Sequence, residues 1–112
     1  GEPFVARLGF GAEYQDGKLE EATDWVQNTV YAGYEGTPGL MGALAADVGG
    51  SVVTMSTWEN QESLDASQEK FQEIMADAMQ YVKNPPTVVT GVCNLWRNNV
   101  SFPAGKLSQW NK

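Results

Sequence analysis

The chain contains no histidine. That excludes Ser-His-Asp and Cys-His catalysis, zinc held by imidazole, and haem with a proximal histidine. One cysteine, Cys93, is present, so neither an intrachain disulfide nor a thiolate metal cluster can form. A single unpaired thiol suits a reducing compartment, and a cytoplasmic location is expected. Position 1 is Gly rather than Met, so the natural N-terminus is trimmed or replaced, and a removed signal peptide stays compatible with the sequence. No apolar run approaches the roughly 18 residues that a membrane helix needs. Basic residues are scarce, 7 Lys and Arg against 14 Asp and Glu, for a net charge of −7. Such a surface repels phosphate backbones, so neither nucleic acid nor an anionic membrane is an expected partner. Charged residues make up only 19%, below the typical quarter. This points to extra buried surface, as in an oligomer.

What is present suffices for one domain. Hydrophobic residues are 42% of the 112, too many for a disordered tail. A chain of this length buries roughly two-thirds of its unfolded surface around one core. Residues 4–10 alternate as a strand, with Phe4, Ala6, Leu8 and Phe10 on one face and Val5, Arg7 and Gly9 on the other. A connector over 11–17 ends in the turn signal Asp16-Gly17. A helical period then covers 18–33, its stripe being Leu19, Ala22, Val26, Thr29 and Gly33, flanked by Trp25 and Val30. The run Glu35-Gly36-Thr37-Pro38-Gly39 breaks the helix. Strands are predicted over 40–48 and 51–58, joined by the hairpin turn Gly49-Gly50. Asn60 or Ser63 caps a second helix that runs to about Lys83, with Leu64, Ser67, Phe71, Ile74, Met75, Ala78 and Val82 facing inward. Asn84-Pro85-Pro86 ends it, and a Val- and Thr-rich strand is predicted over 87–98.

The order β-α-β-β-α-β specifies an α+β, ferredoxin-like arrangement. Two helices cover one face of a four-stranded antiparallel sheet of order 4-1-3-2. One domain is expected over 1–98, and a tail over 99–112 packs on it or on a partner subunit. Both sheet faces look apolar: in the last strand Val88, Val92 and Trp96 point one way, and Val89, Cys93 and Leu95 the other. Two helices cover only one face, so the other calls for a partner, most simply a second copy laid sheet against sheet.

The segment Met55-Ser56-Thr57-Trp58-Glu59-Asn60-Gln61-Glu62-Ser63-Leu64-Asp65-Ala66-Ser67 has a Trp closing a strand, a polar acidic capping stretch, then Leu. With the Pro38-Gly39-Leu40 lead into the second strand, it resembles the dimeric α+β barrel superfamily, which includes the antibiotic-biosynthesis monooxygenases, over residues 4–98. The resemblance implies a homodimer whose two sheets close a barrel. It also implies, for several relatives, oxidation of quinols or polyketide aromatics by O₂ without metal or flavin. Other relatives degrade haem. Two departures matter. Quinol-oxidising relatives usually carry His in the second helix, beginning nine residues after the strand-end Trp, where this chain has Ser67. Haem degraders use an Asn in the first strand, where this chain has Arg7, plus a Trp and a His in the second helix. Haem degradation by that route is not expected.

Phe10, Trp25, Trp58, Phe71 and Met75 are candidates to line a cavity between sheet and helices, beside the small Gly33, Gly42, Ala43, Ala45, Ala46 and Ala78. The plain alternative is that they are core. Arg7 and Arg97 are the only arginines, and Arg7 sits inside an apolar strand. A buried Arg can hold a substrate carboxylate or phenolate; the alternative is a salt bridge at the barrel rim or subunit interface. Asn94 can donate to a carbonyl or a developing oxyanion, or be an ordinary strand-end residue. Tyr14, Tyr31, Tyr34 and Tyr81 include possible acids, unranked. Cys93 reads as an inert buried thiol. Asn99-Val100-Ser101 matches the N-glycosylation pattern, which matters only in a secreted protein. No metal, haem, flavin or other cofactor is expected. The resemblance, with an aromatic cavity, implies cofactor-independent oxygenation of a small aromatic or quinol, while the missing His favours a non-catalytic barrel. A non-catalytic small-molecule-binding barrel and a purely structural dimer are the alternatives.

Overall fold

A computed structural model of the chain describes residues 4–94. The elements are β1 (Val5–Glu13), α1 (Leu19–Trp25), a π-helical turn (Val26–Val30), α2 (Tyr31–Tyr34), β2 (Leu40–Val48), β3 (Ser51–Trp58), α3 (Gln61–Ala66), α4 (Gln68–Ala78) and β4 (Thr87–Val92). The sheet order is β2-β3-β1-β4 with every pair antiparallel, the expected 4-1-3-2 read from the other edge. β2 and β3 run over the predicted residues. Gly49 and Gly50, both at positive φ of 57° and 87°, make the tight turn between them. The expected end of the last strand at 98, with Leu95, Trp96 and Arg97, the tail over 99–112 and the Asn99 sequon lie outside the described residues.

β1 is longer than its period predicts, because a bulge carries it through the expected connector. Pairing with β3 shifts register between Gly9 and Ala12, and Gly11 sits at φ 86°, where only glycine is unstrained. Asn84 braces the bulge: its Nδ2 donates to the Gly11 carbonyl at 2.8 Å and its Oδ1 accepts from the Glu13 N–H at 3.2 Å. Plain alternation puts Val5, Arg7 and Gly9 on the helix side and Phe10 on the opposite face, and the extra residue then brings Ala12 and Tyr14 to the helix side as well.

The first helical segment is interrupted. A straight 3.6-residue period would bury Leu19, Thr29 and Gly33, yet all three are exposed. The π turn inserts one residue and rotates the stripe onto Val30, Tyr31 and Tyr34. Tyr34 is buried, with its ring edge-on to Trp58 at 6.4 Å. The second helical segment breaks at Ser67. Its N-cap is Asn60, whose Oδ1 accepts from the Ser63 N–H at 2.9 Å. It stops at Ala78 rather than Lys83 because the chain there pairs with the end of β1. Gln15 N–H donates to the Tyr81 carbonyl, and Lys83 N–H to that of Glu13, each at 2.8 Å.

Val5, Tyr34, Trp58 and Leu64 form the buried centre, with Val30, Leu40 and Ile74 against it. No helix covers the other sheet face, where Phe10, Leu44, Val48 and Val89 are all more than 40% exposed. No helix among the described residues is long and apolar enough to cross a membrane.

Candidate functional site

Arg7 occupies the middle of a central strand, on the face turned to the helices, and is only 4% exposed. Its guanidinium meets the break between α3 and α4. Nη2 donates toward Ser67 Oγ at 3.1 Å, Gln68 Oε1 at 3.1 Å and the Leu64 carbonyl at 3.4 Å. Ser67 in turn donates from its hydroxyl to that carbonyl at 2.7 Å, beside its own backbone N–H, which donates there at 3.1 Å where the helix breaks. The guanidinium carbon lies 4.1 Å from the centre of the Phe71 ring and 5.8 Å from that of Trp58. Nε is buried and has no hydrogen-bond partner among the described residues. Among the described residues Arg7 makes no ion pair. The ion pairs among the described residues are Lys18 with Glu21 and Lys83 with Asp16, both at the surface. Burial pushes the Arg7 pKa down, partly offset by Tyr34 and Asp65; a guanidinium stays charged at neutral pH regardless.

Arg7 borders a mainly apolar cavity of about 160 Å³ between the sheet and the helices. That is about the size of an engineered cavity that accepts benzene. Trp25, Trp58, Phe71 and Met75 line it, and the small Ala43, Ala45 and Ala78 leave the room. Gly33, Gly42 and Ala46, expected to help, are not among its lining residues. Phe10 is not in the cavity: it is 43% exposed on the far sheet face, where plain strand alternation puts it opposite to Arg7. Asn94 is also outside, exposed beyond the end of β4. Trp58 is wholly buried, and its Nε1 donates to Ser56 Oγ at 3.0 Å, so the indole donor is already used.

All four tyrosines of the chain line the same cavity. Tyr14 donates to Asp47 Oδ1 at 2.9 Å; its pKa is pushed up to about 12 by burial first, then by the hydrogen bond and the charge of Asp47. Burial raises the pKa of Tyr31 and Tyr34, and Arg7 offsets part of the rise for Tyr34. These phenols are neutral at pH 7 and serve as proton donors rather than bases. Tyr81 packs on Trp25 with ring centres 5.2 Å apart. Among the described residues no Asp, Glu, Lys or His lines the cavity, so Arg7 is its one ionised group.

Tyr34, one of the four unranked tyrosines, lay off the helical stripe, and the π turn brings it in. Gln68 carried no signal, since it reaches Arg7 from an exposed helix position.

No family model matches the chain, and no curated protein matches it in sequence. Solved structures do match it in fold. A protein of unknown function from Nitrosomonas europaea superposes with TM-score 0.68 at 15% identity, covering 90% of this chain and all of its own. A candidate antibiotic-biosynthesis monooxygenase from Chloroflexus aurantiacus gives TM-score 0.64 at 14% identity, over 85% of this chain and 97% of that one. A monooxygenase of Streptomyces coelicolor, solved with the ligand nanaomycin D, gives 0.63 at 15% identity, over 92% and 94%. The chain shares the α+β, ferredoxin-like fold of these proteins. At such identities the likeness concerns the fold, and what the cavity does is argued from its own residues.

Proposed function

We propose that the protein oxygenates a small aromatic or quinol with O₂, without a metal or flavin. The observation that carries this reading is an apolar, ring-sized cavity walled by neutral tyrosines and one buried cation, in a fold shared with a ligand-bound monooxygenase. In such a reaction one oxygen atom enters the substrate and the other leaves as water. A quinol C–H becomes C–OH, and oxidation of the quinol to the quinone supplies the two electrons that reduce the second atom. The tyrosines supply protons to developing oxyanions. The same reading takes a second copy of the chain to cover the helix-free sheet face, burying more than roughly 2,000 Å² in total. It places the protein in the cytoplasm, in keeping with its free thiol.

One observation favours a second reading. No side chain that is a base at neutral pH lines the cavity among the described residues, which suits a non-catalytic binding barrel. Oxygen-electrode traces with a panel of quinols separate the two. Uptake of one O₂ per quinol, with the hydroxylated quinone as product, supports the oxygenase. Binding without protein-dependent uptake across the panel contradicts it and leaves the binding barrel.

A further inference from the structure

We propose that the cavity selects an aromatic anion, its ring in the apolar space and its conjugated anionic oxygen, carboxylate or phenolate, accepting from the Arg7 guanidinium. This rests on the cavity being a ligand site, but not on oxygenation.

Four features support it. Arg7 is a buried cation with no carboxylate paired to it among the described residues, an arrangement that costs stability unless a partner arrives. Its hydrogen bonds from Nη2 to Ser67, Gln68 and Leu64 all reach neutral oxygens, so they do not compensate its charge, and among the described residues the buried Nε has no partner. The group is held in place before any ligand binds: Phe71 lies against its plane, and the helix break at Ser67 fixes one end. Finally, the surroundings keep the site positive in a chain of net charge −7. Tyr34 on α2 is neutral. Lys70 on α4 lies over the Tyr34 ring, 5.2 Å from its centre. Asp65 on α3 is exposed and engaged by Gln61 at 2.9 Å. A neutral ligand would occupy the same space yet leave the cation unanswered, so charge is what the site can discriminate.

The test is a calorimetric titration of the intact chain at neutral pH with 2-naphthoate and with its neutral isostere 2-naphthamide. It is joined by an absorbance titration of 4-nitrophenol across that probe's own ionisation. Naphthoate is expected to bind at least about tenfold tighter than naphthamide, the worth of one charge-assisted hydrogen bond. Nitrophenol is expected to bind as the phenolate, with its apparent pKa lowered. Arg7→Gln should remove both preferences, and Arg7→Lys should restore part of each. A preference confined to naphthoate identifies a carboxylate ligand, and one confined to nitrophenol a phenolate. Equal binding of charged and neutral probes by the parent chain overturns the proposal without recourse to any variant. So does failure of every probe to bind, or undiminished selectivity in a folded Arg7→Gln protein. Selective binding without oxygen uptake would sink the oxygenase reading and leave this one standing.

Discussion

Arg7 and Ser67 stand 60 residues apart in the chain, yet Nη2 of one lies 3.1 Å from Oγ of the other. The contact ties the central strand to the point where the second helical segment breaks. Ser67 both accepts from the arginine and donates to the Leu64 carbonyl, so one hydroxyl serves the cation and the helix break together. It stands where the sequence resemblance leads one to look for histidine. The polar chemistry on this side of the cavity is therefore a fixed positive charge, not a titrating base.

Because that charge is buried and answered only by neutral groups, Arg7→Met should leave stability within about 1 kcal/mol of the parent. Relief of desolvation offsets the lost hydrogen bonds and ring contact. Urea unfolding at pH 7 checks this. A loss of several kcal/mol would mean that the guanidinium is chiefly a structural brace.

Trp58 is the largest fully buried side chain. Trp58→Ala should cost about 3–5 kcal/mol through lost burial and a residual cavity. Trp58→Phe should keep most of the stability. Thermal melts of the two variants decide, and an Ala variant melting within a degree or two of the parent would reject the core role.

Tyr14 gives stability a pH signature. Its pKa is about 12 in the folded chain against 10.0 for the free side chain, so the unfolded state loses this proton first as pH rises. Tyr14 therefore contributes its full stabilisation below pH 10 and loses it progressively toward pH 12. Urea midpoints measured at intervals from neutral to strongly alkaline pH should fall more steeply for the parent than for Tyr14→Phe. Parallel curves would show that burial and the Asp47 contact do not hold Tyr14 protonated in the folded chain.

The π turn is expected to be the device that seats Tyr34. Deleting Asn28, which is exposed, should convert the turn to ordinary helix and rotate Tyr34 away from Trp58. The expected cost is about 2 kcal/mol or more, as for loss of a large core side chain. A deletion variant as stable as the parent would contradict this.

The helix-free sheet face predicts association. Light scattering at micromolar concentration should report twice the 12.2 kDa chain mass, and Leu44→Asp should lower it toward one chain. A parent protein that scatters as a single chain would contradict the two-copy arrangement.

Much of the fold was legible because it is written in local patterns. The Gly49-Gly50 turn and the alternation around it place β2 and β3 on their predicted residues, and the polar stretch after Trp58 gives the Asn60 cap. Trp25, Trp58, Phe71, Met75 and Arg7 were legible as candidates by side-chain type and period. Two of the misreadings, the length of β1 and the buried stripe of the first helix, share one cause: a single inserted residue changes the phase of everything after it. The bulge at Gly11 prolongs β1 on the face that Phe10 does not share. The π turn moves burial from Thr29 and Gly33 to Val30 and Tyr34. Neither insertion has a signal in the residues themselves, because both are settled by pairing with distant segments, Asn84 in one case and Trp58 in the other.

The most direct test of the account is a crystal structure of the protein soaked with 2-naphthoate. The account predicts the naphthalene ring in the cavity beside Phe71 and Trp25, with a carboxylate oxygen within about 3 Å of an Arg7 guanidinium nitrogen. An empty cavity with the ligand bound elsewhere, or Arg7 turned away to pair with a protein carboxylate, would contradict it.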